Sequence, residues 1–123
     1  MKYMVYSKNS HVGNCNLKII DNSMGVAEGS FTPSENYHII ESTILKLLEV
    51  MQFTDDDVSE EEVRKVYENR DNLELIVKDI DGYVFTPQAV HIEDWRKDFP
   101  EEGIIIQLLG FSQADREKLK KEK

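Results

Sequence analysis

The stretch Thr32–Met51, TPSENYHIIESTILKLLEVM, decides the fold of this chain. It begins with a helix start, in which Thr32 is the N-cap, Pro33 takes the first helical position and Glu35 completes a capping box. Apolar residues then recur at helical spacing, at Tyr37, Ile40, Ile44, Leu47, Leu48 and Met51. The pattern predicts a helix from Pro33 to about Met51 with one face in a core.

The residues before this helix are typical of strands. Lys2–Tyr6, Asn16–Asp21 and Gly25–Thr32 are rich in β-branched and aromatic residues, and Asn22-Ser23 with Gly25 supplies a turn between the last two. We therefore predict three strands, the second and third of them forming a hairpin.

A second helix is predicted from Ser59 to about Arg70. Ser59 as N-cap places Glu62 at the third helical position, which forms a second capping box. Val58 and Val63 occupy the two positions of a hydrophobic staple in the same register. Two independent features thus agree on where this helix begins.

The C-terminal half returns to strand patterns. Leu73–Lys78 alternates, Asp81-Gly82 is a turn sequence, and Tyr83–Thr86 is predicted to run back as the second strand of a hairpin. Ala89–Ile92 is a short strand, and Gly103–Leu109 is apolar enough to be a central strand.

Ser112, with Asp115 three residues later, predicts the start of a short final helix. The order of elements predicts an α+β fold, with a mainly antiparallel sheet, two central helices packed on one face and a short C-terminal helix. A length of 123 residues fits a single domain over residues 1–123.

The charge is strongly negative, with 24 acidic residues against 15 Lys and Arg and a net charge of −9. Such a chain is unsuited to neutralising the phosphates of a nucleic acid, whereas it suits a basic protein partner. No apolar run approaches the ~20 residues that span a bilayer, and polar residues begin too early for a secretion signal. With Cys15 as the only cysteine, no internal disulfide can form, and we expect a cytoplasmic protein.

Six of the acids fall within the decapeptide Thr54–Val63, TDDDVSEEEV. Glu60–Glu62 occupy the first turn of the second helix, where the helix dipole favours negative charge. The run does not supply the glycine that a calcium-binding EF-hand loop requires at position 6, and it crosses the helix start. Local structure therefore leaves Asp55, Asp56 and Asp57 without an explanation.

No catalytic or metal-binding pattern is present in the sequence. Cys15 has no neighbour that would activate its thiol, and neither His38 nor His91 lies in a motif that supplies the other members of a triad or metal site. Gly25 and Gly29 match no phosphate-binding loop. We predict no catalytic residue, no metal and no cofactor.

Three segments together resemble a known class of proteins. GVAEGSFTPSENYHII (residues 25–40), LELIVKDIDGYVFTPQAVHIEDW (73–95) and IIIQLLGF (104–111) are similar in style to small acidic immunity proteins of bacterial contact-dependent and polymorphic toxin systems. The resemblance lies in size, acidity and element order. It implies a non-enzymatic inhibitor that occludes a toxin domain in the cytosol, and it assigns no residue a role.

The leading hypothesis is an intracellular binding protein that neutralises a basic partner through an acidic surface. The candidate partner-binding residues are Asp55, Asp56, Asp57, Glu60, Glu61, Glu93, Asp94 and Trp95. Two alternatives stay open: a small enzyme or ligand-binding domain with a pocket around His38 or His91, and a structural subunit of an oligomer.

Overall fold

The structure is a computed structural model that describes residues 3–52 and 59–121. Within these ranges the chain forms seven strands, one 3-10 turn and three α-helices. The strands are β1 (Tyr3–Ser7), β2 (Ser10–Cys15), β3 (Lys18–Asp21), β4 (Val26–Pro33), β5 (Leu75–Lys78), β6 (Ala89–Asp94) and β7 (Ile104–Leu109). The helices are α1 (His38–Gln52), α2 (Glu60–Asn72) and α3 (Gln113–Lys121), and the 3-10 turn Glu35–Tyr37 leads into α1.

All strand pairs are antiparallel, in the order β5-β1-β2-β4-β7-β6, with β3 also paired to β4. The sheet curls into a half-barrel that carries β5 and β6 at its two ends. The predicted α+β class with a mainly antiparallel sheet is confirmed.

The curl is organised by β4, which changes partners along its length. Val26–Ser30 pairs with β7 on one side, and on the other side β4 pairs first with β3 and then, from Phe31 to Pro33, with β2. β2 and β3 therefore act as one strand that is interrupted at Asn16 and Leu17. At the interruption the Asn16 carboxamide accepts the Ser30 N–H at 2.9 Å.

Alternate side chains fill the inside of the curled sheet. Ile104, Ile106 and Leu108 of β7 are buried, while the residues between them are half-buried. Ile40 and Ile44 of α1 join the same core. The prediction that Gly103–Leu109 contains a central strand is confirmed, because β7 has partners on both sides.

α2 packs mainly against α1, and its Arg70 also contacts His91 of β6. Leu47 and Val50 of α1 and Val66 of α2 form a second, smaller apolar cluster. The helices therefore form a layer in which α1 faces the core and α2 lies outside it. None of the described helices is long and apolar enough to cross a membrane.

Two predicted helix starts are confirmed by their capping bonds. The Ser59 hydroxyl accepts the Glu62 N–H at 3.1 Å, and α2 begins at Glu60. Ser112 and Asp115 form a complete capping box, in which each side chain accepts the N–H of the other residue at 3.1 Å. Val58, the other member of the predicted staple, lies outside the described residues.

The predicted start of the first helix is wrong by several residues. Thr32 and Pro33 are the last residues of β4, paired with Asn14 and Gly13 of β2. Ser34 is the cap instead, and its hydroxyl accepts the Asn36 N–H at 3.2 Å. Pairing with β2 extends the strand through the two residues that local cap rules assign to the helix.

Two predictions about strands also need correction. β2 was not among the predicted strands, because SHVGNC combines polar residues with a glycine and has no apolar alternation. The run Tyr83–Thr86 is not a strand and makes a single bridge, Lys78 with Val84. It leaves β5 early because the Thr86 N–H donates to the buried Asp115 carboxylate at 3.0 and 3.1 Å.

Candidate functional site

The end of β6 places two neighbouring acids on opposite sides of the sheet. Strand alternation turns Asp94 inward with Val90 and Ile92, and it turns Glu93 outward. Asp94 is only 3% exposed, although the sequence indicated it as a partner-binding residue. Asp94 is therefore not accessible at the surface, whereas its neighbours Glu93 and Trp95 are half-buried.

The buried Asp94 side chain is held by an ion pair with the partly exposed Arg96. The Tyr37 hydroxyl donates to its Oδ2 at 2.8 Å, and the Arg96 guanidinium donates to both carboxylate oxygens at 2.8 and 3.0 Å. Arg96 also reaches Glu41 of α1 at 3.4 Å. The cluster fastens the start of the first helical segment to the end of β6.

These contacts keep Asp94 ionised. Burial by itself would raise the pKa of Asp94, but the hydrogen bonds from Arg96 and Tyr37 outweigh it and hold that pKa below its ordinary value. The same hydrogen bond raises the pKa of Arg96. Burial, followed by the bond to Asp94, raises the pKa of the Tyr37 phenol. The cluster is thus a stable ion pair with a neutral tyrosine.

Beyond Asp94 the chain presents an aromatic pair. The Trp95 and Phe99 rings meet edge to face with centroids 5.9 Å apart, and the Phe99 N–H donates to the Trp95 carbonyl at 2.7 Å. Glu93 orients the indole by accepting its Nε1–H at 3.1 Å. Phe99 is 48% exposed, so this pair is available at the surface.

Acidic residues outnumber basic ones in the segment around the aromatic pair, which also carries the exposed bases Arg96 and Lys97. We use the name aromatic–acidic surface for Glu93, Trp95, Asp98, Phe99, Glu101 and Glu102. Asp98, Glu101 and Glu102 are exposed. Aromatic side chains within a charged rim are a combination that occurs at protein–protein contact sites.

The acidic start of α2 is connected to this surface through α1. Glu60 and Glu61 are exposed, while the Lys46 ammonium lies between Glu62 at 3.7 Å and Glu49 at 3.8 Å. Glu49 in turn lines a groove of about 180 Å³ with Asp98 of the β6–β7 loop. These contacts link Glu62 to the loop that carries Asp98, and they do not include Glu60 or Glu61.

Asp55, Asp56 and Asp57 lie outside the described residues. Their role as partner-binding residues stays a prediction from the sequence.

A second polar cluster lies on the outer face of β6. His91 is buried, its Nε2 lies 3.0 Å from Glu93 Oε2, and its Nδ1 lies 3.4 Å from Arg70 Nη1. Because arginine can only donate, the Nδ1 of His91 accepts and its Nε2–H donates to Glu93. Arg70 is 12% exposed at its side chain and also pairs with Asp71 at 3.2 Å.

This cluster lines a cleft of about 210 Å³ whose apolar members are Met51, Tyr67 and Leu109. Arg70 is paired with Asp71, and the Glu93 carboxylate accepts hydrogen bonds from His91 and from the Trp95 indole. The sequence indicated nothing about Arg70, which it placed only at the end of a helix. Its contact with His91 joins residues that are 21 apart in the chain.

The other candidate centres of chemistry lie apart from this cleft. His38 is exposed at the start of α1, where its Nδ1 lies 2.8 Å from the Glu35 carbonyl. Among the described residues no group of three or more His, Cys, Asp or Glu is arranged to hold a metal. Cys15 is 3% exposed, and burial raises the pKa of its thiol to about 12. A thiol in that state is a poor nucleophile.

Comparison of the chain with protein-family models, with curated proteins and with solved structures gives no match.

Proposed function

We propose that this protein is a non-enzymatic inhibitor of the immunity-protein type, which neutralises a basic toxin domain by binding it in the cytoplasm. The observation that carries the proposal is the Trp95–Phe99 pair, in which Phe99 is exposed and Trp95 half-buried, in a segment rich in acids. The overall charge of −9 and the resemblance to acidic immunity proteins support the same choice of partner.

The aromatic pair has the properties of a binding hot spot. Tryptophan and other aromatic anchors dominate binding energies when a charged rim excludes water around them. Glu93 holds the indole in one orientation, so little side-chain entropy is lost on binding. The pair therefore provides affinity, and the acidic residues around it provide specificity for a basic partner.

Electrostatic steering is the second component. Glu60 and Glu61 are exposed on the first turn of α2, where Glu61 has only a long contact of 3.8 Å to Arg64. Exposed charges of this kind raise the association rate with an oppositely charged protein, and salt screens the effect. Binding should consequently be faster at low ionic strength.

The test is an affinity measurement with the product of the neighbouring gene as the partner. Phe99→Ala should weaken a stoichiometric complex about thirtyfold or more, because a hot-spot truncation costs about 2 kcal/mol or more. Ile80→Ala is the matched control, since Ile80 is an exposed apolar residue, 71% accessible, in the turn after β5. Equal losses in the two variants, or none in either, would contradict the proposed contact surface.

The sequence-based part of the proposal needs its own variants. Replacing Asp55, Asp56 and Asp57 together by Asn should weaken binding and flatten its salt dependence, while the melting temperature changes little. Glu117→Gln on α3 is the control for loss of a surface charge elsewhere. An unchanged affinity and salt slope would remove these aspartates from the interface.

A further inference from the structure

The half-barrel is open along one side. β5 pairs only with β1 among the strands described, and β6 pairs only with β7. Both of these end strands line the same cleft, which has a volume of about 310 Å³. Its apolar lining residues are Leu75, Ile76, Phe85, Pro87, Ala89 and Val90.

On β6 the ladder geometry turns backbone groups towards this cleft. The Trp95 N–H donates to the Gly103 carbonyl at 2.9 Å, which identifies Trp95 and Gly103 as a hydrogen-bonded antiparallel pair. The backbone N–H and C=O groups of Trp95 and of every second residue before it therefore point towards β7. The N–H and C=O of Val90 and Ile92 point away from β7, to the unpaired edge.

On β5 a hydrogen bond from Phe85 shows which backbone groups face the cleft. The Phe85 N–H donates to the Val77 carbonyl at 2.9 Å, so Val77 and, two residues earlier, Leu75 direct their backbone groups away from β1. The run that contains Phe85 then leaves the strand, because Thr86 is bound by Asp115. Leu75 is left facing the cleft with its backbone groups on the open edge.

The charge at one end of the cleft indicates what would enter it. Asp71 and Glu74 line that end and are exposed, with the Asp71 side chain 67% accessible. Among the residues that the structure describes, Arg70 is the only base that lines the cleft, and it already contacts Asp71 and His91. The end of the cleft is therefore net acidic and suits a cationic side chain.

We propose that this cleft takes an extended basic segment of a partner protein, which adds to the sheet as a strand between β5 and β6. Main-chain hydrogen bonds to Leu75 and Val90 would hold the segment, apolar side chains would contact the walls, and a lysine or arginine would meet Asp71 and Glu74. A second copy of this chain is disfavoured as the occupant, because a molecule of charge −9 would approach an acidic cleft.

This inference goes beyond the inhibitor proposal and does not use the aromatic–acidic surface. Its test needs no natural partner, so the strand-addition proposal and the inhibitor proposal can fail separately. The probe is a peptide of alternating lysine and valine with blocked ends, and the control peptide has glutamate in place of lysine.

Amide NMR and hydrogen exchange would locate the bound peptide. The lysine peptide should shift the amide signals of Leu75 and Val90 and slow their exchange, and the glutamate peptide should do neither. Shifts confined to other residues, equal effects of both peptides, or no effect at millimolar peptide would overturn the proposal.

Charge variants give an independent measurement. Asp71→Asn combined with Glu74→Gln should weaken the lysine peptide roughly fivefold, as expected for two exposed charge contacts. Glu117→Gln should leave its affinity unchanged. Equal affinity in all three proteins would remove the acidic end from the site.

Sedimentation tests whether a second copy of this chain, rather than a basic segment, occupies the cleft. The protein should stay monomeric at concentrations used for NMR. A dimer whose Leu75 and Val90 amides are protected from exchange without peptide would show that a second copy fills the cleft and would overturn the proposal.

Discussion

At the scale of single residues, position along a strand decides what a side chain can do. Glu93 and Asp94 are adjacent acids, yet one orients a surface tryptophan and the other is buried against Tyr37 and Arg96. Gly29 shows a related constraint on the backbone. A Cβ atom at this position would lie 1.7 Å from the Asn16 carbonyl oxygen, where β4 passes the interruption between β2 and β3.

Gly29→Ala should therefore destabilise the fold. The expected loss is about 1–3 kcal/mol or more in the free energy of unfolding, because backbone rather than a flexible side chain must move. Ser30→Ala, at the exposed neighbouring position, should stay within about 0.5 kcal/mol of the parent protein. Denaturant unfolding of both variants measures the difference, and equal stability would contradict the close approach.

At the scale of elements, α3 is attached to the rest of the molecule by the buried Leu119 side chain and by the Asp115 carboxylate. Asp115 is fully buried and accepts hydrogen bonds from Ser112 N–H, Thr86 N–H and the Tyr83 hydroxyl. The same side chain that caps α3 therefore fixes the run after the β5 turn. This double use explains why the predicted return strand ends early.

Asp115→Ala should cost about 2–4 kcal/mol of stability, because it leaves several donors without an acceptor. Ser112→Ala removes one capping bond of the same helix and should cost only about 1 kcal/mol. Thermal unfolding followed by circular dichroism compares the two. If the two variants lose the same free energy of unfolding, Asp115 acts only as a helix cap.

At the scale of the whole molecule, the Tyr37–Asp94–Arg96 cluster joins parts of the chain that are 57 residues apart. Since the pKa of Asp94 is lowered in the folded protein, its contribution to stability is present above its unfolded pKa of about 4. That contribution is lost as the pH falls through the lower, folded pKa. The cluster thus makes the attachment of the first helical segment to β6 sensitive to acid.

Asp94→Asn should reveal this dependence on pH. The variant should be less stable than the parent by about 1–3 kcal/mol at pH 7, and the difference should shrink below about pH 4 as Asp94 becomes protonated. Asp98→Asn, at an exposed acid of the following turn, should show no such pattern. A difference that is the same at every pH would mean that the ionised carboxylate is not the stabilising group.

The sequence alone determined the features that depend on bonds between near neighbours. The caps at Ser59 and Ser112 and the apolar stripe of α1 follow from groups three or four residues apart, so residue order specifies them. The α+β class follows from the order of these elements.

Only the tertiary structure decided the features whose partners are distant in the chain. β2 exists because β1 and β4 flank it, and Asp94 is withdrawn from the surface by contacts with Tyr37. The Arg70–His91 contact and the open cleft between β5 and β6 arise in the same way. Local patterns carry no information about these pairings, because the energy that fixes them appears only when the sheet has curled and the distant segments meet.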